Sequence, residues 1–184
     1  MKKSGIVILT IVIGFIQTGF TQKLVSTKIN DRVSLQLSEN LTPVPDNELQ
    51  THFPSSQKPL AAYINEDGKV KFSISISANQ WVGSDVVVLK DMYKSTIMSL
   101  FDQVEFLQEK ITPIRKRDFI VFEFVSELKP EKKSTYKTSL KNYSYIQYTL
   151  VKESLVIFNF TCPESYKANW QSVTKSMMGS IRIK

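Results

Sequence analysis

The sequence predicts an α+β fold, an antiparallel β-sheet with two amphipathic helices packed on it in an αβα-sandwich-like arrangement. Three observations predict it. Val70, Phe72, Ile74, Ile76 and Ala78 alternate without a fault against Lys71, Ser73, Ser75 and Ser77. A strand so patterned has one buried and one polar face, as antiparallel sheets do. Two other segments change period: Val86, Leu89, Tyr93, Ile97, Leu100 and Val104, then Tyr166, Trp170, Val173 and Met177, recur every three or four residues, one apolar stripe along a helix. The composition, 42% hydrophobic and 22% charged over 184 residues, is that of a globular chain large enough to bury a core without a disulfide or structural metal.

Taken in order, the chain opens on a processing signal. Lys2 and Lys3 precede the apolar run Ile6 to Ile16, and Gly19-Phe20-Thr21 offers small residues where a signal peptidase reads them. The run is shorter than the ~20 residues of a membrane span. Cleavage near Thr21, leaving Gln22 first, is therefore expected over an uncleaved anchor. No cysteine stands at the end of the run for lipid attachment. A signal peptide over residues 1–21 and a single domain over 22–184 follow, with the mature chain periplasmic or secreted. Cleavage removes two lysines and no acids and takes the net charge from +7 to +5, too little to argue nucleic-acid binding.

In the mature chain Leu24 to Leu37 reads as a first strand, and Asn40 to Lys58, with three prolines, as a surface loop. A hairpin follows, Leu60 to Ile64 and Val70 to Ala78, turning at Asp67-Gly68. The first helix is capped by Ser84 or Asp85. Strands are expected at Glu105 to Ile111 and Phe119 to Glu127, separated by a turn at Pro113 to Asp118. The polar stretch Leu128 to Lys141 leads to two more, Asn142 to Val151 and Ser154 to Thr161, joined tightly at Lys152-Glu153. Pro163 then suits the first turn of the second helix. Gly179 can stop that helix, and Ser180 to Lys184 return as a short strand. Neither half would hold a complete core alone.

The closing segment, Phe158-Asn159-Phe160-Thr161-Cys162-Pro163 with Tyr166, Trp170 and Ser180-Ile181-Arg182-Ile183, resembles the PsbP-like family, which includes the photosystem protein PsbP, periplasmic DcrB-type proteins and a Ran-binding import factor. The hairpin and the helix at Asp85 fall in that family's order. The resemblance implies an antiparallel sheet sandwiched by helices and a non-enzymatic accessory role in protein binding or assembly. It carries over no residue set: the acidic Ran-contacting surface has no counterpart here, and the lipid-attachment cysteine is absent.

The residues themselves offer little chemistry. His52, the single histidine, lies in the proline-rich loop without an oriented partner. Cys162, the single cysteine, sits between a hydrophobic strand and Pro163, where inert packing is expected. Asp46 with Glu48, and Glu66 with Asp67, fall in turns. No nucleophile elbow, phosphate-binding glycine loop or metal-ligand spacing appears, so no catalytic residue, cofactor or metal is expected. Basic residues say more. Arg115-Lys116-Arg117 precede the strand Phe119 to Glu127, whereas Lys129, Lys132, Lys133, Lys137 and Lys141 follow it, so the two groups belong at opposite ends. Lys152, in the next turn, returns to the first end. Arg115, Lys116, Arg117 and Lys152 are the candidate partner-binding residues, for an acidic protein or an anionic membrane surface. Tyr143, Tyr145 and Tyr148 with Phe119 and Phe122 would line a groove if one sheet face were open.

The expectation is an exported, non-enzymatic binding or assembly-accessory protein contacting another protein of the bacterial cell envelope. The alternative is a carrier of lipid or another small hydrophobic ligand between sheet and helix. A hydrolase with carboxylates brought together only by the fold stands third.

Overall fold

A computed structural model describes residues 22–54, 57–80, 85–130 and 138–184, with 78–80 described through their backbone. The expected signal peptide, Ser84 as a cap, and Lys132, Lys133 and Lys137 lie outside these residues.

Seven antiparallel strands form the central sheet. Its chain-order elements are β3 (Thr42–Pro43), β4 (Ala61–Ile64), β5 (Lys71–Gln80), β6 (Gln103–Ile114), β7 (Arg117–Leu128), β8 (Leu140–Val151) and β9 (Ser154–Pro163). Their spatial order is β3-β4-β5-β9-β8-β7-β6. A second sheet, absent from the sequence reading, contains β1 (Leu24–Lys28), β2 (Val33–Ser38) and β10 (Arg182–Ile183) in the order β1-β2-β10. The expected first strand is thus a hairpin. Asn30 breaks it: its side-chain Oδ1 accepts from the backbone amides of Arg32 and Val33, both at 2.8 Å, an Asx turn that a short polar side chain forms locally.

The helices are α1 (Leu49–His52), α2 (Val86–Leu100) and α3 (Lys167–Gly179). The proline-rich segment is therefore not all loop, since it holds β3 and α1. Asp85 caps α2 by accepting from the Val87 amide at 2.7 Å, which satisfies one free donor of the first turn. Val104 belongs to β6 rather than to the helix, and Leu100 is exposed. Pro163 ends β9, and one 3₁₀ turn, Glu164–Tyr166, precedes α3. Gly179 does not adopt a left-handed conformation. Instead, the Ser180 hydroxyl donates to the Met177 carbonyl at 2.6 Å and closes the last turn.

Burial follows from how the two helices and the small sheet flank the central one. Along β7, Phe119 and Val121 join a core under α3 and the small sheet, with Phe72, Phe158, Phe160, Trp170 and Met177. Ile120, Phe122 and Phe124 point the other way, against Leu89 and Ile97 of α2. Each fully buried side chain of this size contributes roughly 1.5–3 kcal/mol, so both faces of β7 are anchored. Tyr143, Tyr145, Tyr148, Phe119 and Phe122 are all buried. Their aromatic sheet is covered on both faces, and the groove envisaged for an open face does not exist.

Candidate functional site

Three turns meet at one end of the sheets. Ile114 pairs with Arg117 across a two-residue turn, so Arg115 and Lys116 occupy the central positions, with φ of 50° and 69°. A hairpin this tight matches strand twist only with left-handed backbone, which asparagine and glycine adopt most cheaply. At the second turn Val151 pairs with Ser154, and Lys152 takes φ 58°. These are the non-glycine residues of positive φ among the described residues, each held at a cost of roughly 1 kcal/mol. The turns are tied together: Arg117 donates from Nη1 to the Leu150 carbonyl at 2.9 Å, and Thr149 Oγ1 donates to the Asp118 carbonyl at 2.8 Å. The third turn, Asn30 to Arg32, belongs to the small sheet.

Between the small sheet and the Lys152 turn lies a cleft of about 780 Å³. Leu60, Ile76, Val151, Val156 and Ile183 form its apolar lining, and Arg32, Lys152, Asp31 and Glu153 its charged part. Strand alternation places Ile76 in the core, yet it is 40% exposed, because it lines this opening rather than packing beneath the small sheet. Asp31 is neutralised by Lys28 at 2.6 Å. The bond to the Leu150 carbonyl brings Arg117 beside the Lys152 turn as expected, whereas Lys129 follows the far end of β7 and Lys141, second in β8, lies beside Glu127 at 3.7 Å. Arg32 was not singled out by sequence. Its signal in the sequence is the Asn30-Asp31 pair, which stands inside what reads as one strand.

No protein-family model and no curated protein matches the sequence. Solved structures do match it along nearly its whole length. Cyanobacterial PsbP (CyanoP) from Synechocystis sp. PCC 6803 superposes with TM-score 0.60 at 11% identity, covering 91% of this chain and 96% of its own. The Saccharomyces cerevisiae Ran-binding protein Mog1p gives 0.57 at 11% identity, over 89% and 96%. The chain has the PsbP-like fold. LpqN, described as involved in cell envelope biogenesis of Mycobacterium tuberculosis, shares it with TM-score 0.59 at 5% identity, over 89% and 92%. Such identities establish architecture and leave function to be argued from the site.

Elsewhere in this PsbP-like fold the remaining candidates are accounted for by local contacts. His52 ends α1, with Nε2 4.0 Å from Glu48, and its ring lies under the Gly68 turn. Cys162 is buried in the core under α3, and burial pushes its thiol up to about 12, the opposite of an activated thiol at a helix start. Asp46 pairs with Lys58 at 2.7 Å. Asp67 accepts from the Tyr166 hydroxyl at 2.7 Å, the main reason its carboxyl is lowered to about 2.

One buried charge is not marked by any sequence motif. Glu123 of β7, 1% exposed, accepts from Gln171 Nε2 at 2.5 Å and the Tyr143 hydroxyl at 3.2 Å, with Lys175 Nζ at 3.0 Å. Gln171 and Lys175 are one turn apart on α3, so they share a face. Burial, and after it the Glu123 charge, raises the Tyr143 hydroxyl far above the usual tyrosine range and pushes Tyr145 up to about 12. The legible signal was a lone acid inside the run Phe119 to Val125.

Proposed function

We propose that this chain is an exported, non-enzymatic binding protein, its residues 22–184 forming one domain freed by cleavage after residue 21, and that it contacts an acidic partner protein of the cell envelope through the three-turn end. The carrying observation is the strained basic turns beside the apolar cleft. Arg115, Lys116 and Lys152 hold left-handed backbone where glycine would be cheaper, and strain of that kind persists where the side chain is used. Charge decides the kind of partner. The turns between residues 29 and 32, 114 and 118, and 151 and 154 carry Arg32, Arg115, Lys116, Arg117 and Lys152 against Asp31, Asp118 and Glu153, and Lys28 already engages Asp31. An acidic surface presenting an apolar side chain to Leu60 and Ile76 complements this end. Kinship of fold with a protein described as Ran-binding and another described in envelope biogenesis is consistent with binding rather than catalysis.

The carrier reading has its own observation, since a cleft of about 780 Å³ with an aliphatic lining falls within the size range of small-ligand sites. Native mass spectrometry of the protein drawn gently from its host's envelope separates the two. The expected result is a protein partner at defined stoichiometry. It should dissociate from the variant R115E/K116E/K152E and stay on the control K129E, whose charge follows the opposite end of β7. A bound mass of a few hundred daltons in place of a protein would overturn the partner reading in favour of the carrier. So would a co-purifying protein indifferent to the charge reversal.

A further inference from the structure

Half of the large apolar side chains exposed among the described residues, six of twelve, lie on one side of the central sheet: Val87, Val88, Met92, Met98 and Leu100 of α2, and Ile111 of β6. Ile111 pairs with Ile120, which faces α2, so these side chains share a flank. The helix is richer in apolar residues than its seat requires. Nine of its fifteen residues are apolar or tyrosine, yet only Leu89 and Ile97 are buried, with Val86 and Tyr93 half-buried against them. A surface helix ordinarily shows a single apolar stripe, and a contiguous exposed patch marks a contact surface.

The charges on this flank are spent on one another. Lys90 and Lys94 each lie 2.6 Å from Glu109, and Lys90 lies 3.7 Å from Asp91. Two cations face two anions, and Asp85 is engaged in capping the helix beside Val87, so the patch carries little net charge on a chain whose net charge is +7. We propose that this flank is a two-fold contact between two copies of the chain, α2 packing on the α2 of the other copy. A symmetric contact sets like against like, which a weakly charged apolar patch permits and the basic remainder of the surface opposes. The area sets the contact at the small end of specific interfaces, because it counts every exposed part of the six side chains. With exposures of 36 to 65%, the six side chains offer on the order of 500 Å² per copy, or ~1,000 Å² in all, the lower bound of a specific interface. Strand pairing through the free β6 edge is not the mode: a bulge between Phe106 and Gln108 and proline at 113 interrupt that edge. Helix ridges packing into helix grooves are.

Sedimentation velocity of the purified protein from about 1 to 200 μM tests this. The wild type should pass from monomer to dimer, and M92K should need at least tenfold higher concentration. Because Cys162 is buried, V88C introduces a single accessible thiol, which should cross-link two copies far faster than I76C, placed on the opposite side of the sheet. A wild-type monomer across the range, or a dimer unchanged by M92K with V88C no faster than I76C, overturns the proposal. So does a monomer that sediments with phosphatidylcholine vesicles unless Met92 is replaced, which would assign the patch to a membrane surface.

Discussion

Glu123 concentrates the energetics of the interior in one side chain. It stands in the hydrophobic run of β7, and burying a carboxylate there costs several kcal/mol unless it is paired and hydrogen-bonded. Gln171 and Lys175 reach it from α3, 48 and 52 positions later, so the pairing fastens the helix over the sheet. Replacing Lys175 with methionine leaves the carboxylate facing only neutral donors. The expected loss is about 2–3 kcal/mol in urea unfolding, below the 3–5 kcal/mol of a fully enclosed pair because Lys175 is half exposed. The double variant E123Q/K175M should recover most of it. In the sequence Glu123 is one acid among apolar neighbours. Its partners are set by how α3 returns over the sheet, which local pattern does not encode. Cys162 is the contrary case: a thiol flanked by a hydrophobic strand and proline reads as core, and it is core.

At the scale of elements, the turns divide into those whose chemistry is written locally and those whose residues defy it. Asp67-Gly68 marks its turn openly, and Gly68 takes φ 68°. Arg115-Lys116 occupies a turn that favours Asn-Gly, so the sequence shows a wider turn than the two-residue one that forms. Relief of the strain at Lys116 by glycine should stabilise the fold by about 1 kcal/mol, read as a higher urea midpoint at unchanged slope. If the basic turn is used as proposed, the same variant should bind its partner less well, stability and binding moving in opposite directions. The long strands and both long helices were legible because a period of two or of three to four persists over ten or more residues. The β1–β2 hairpin was not, because arms of five and six residues joined by Asn30 and its neighbours resemble one irregular strand.

Across the whole molecule, α2 forms a layer on one face of the central sheet, and α3 with the small sheet a layer on the other. Lys90 and Lys94 clasp α2 to β6 through Glu109. Their hydrogen bonds, that of Lys90 foremost, hold the Glu109 carboxyl below the usual carboxylate range, and Lys90 is raised in return. A depressed folded-state value means the clasp contributes fully above the ordinary carboxylate pKa of ~4.3 and is lost as pH falls through the folded value. E109Q should therefore cost about 1 kcal/mol at pH 7 and progressively less as pH falls below the ordinary carboxylate range, giving a flatter acid limb in thermal unfolding. The sequence by itself determined the fold class, the two long helices, most strands and the opposition of Arg117 to Lys129 and Lys141, because periodicity and an antiparallel path are properties of the chain read in order. Only the tertiary structure decided that the terminal segments pair into a second sheet, that both aromatic faces are closed, and that Arg32 joins Lys152 around a cleft. Those outcomes depend on contacts between residues from tens to more than a hundred positions apart, whose geometry is fixed only when all layers pack together.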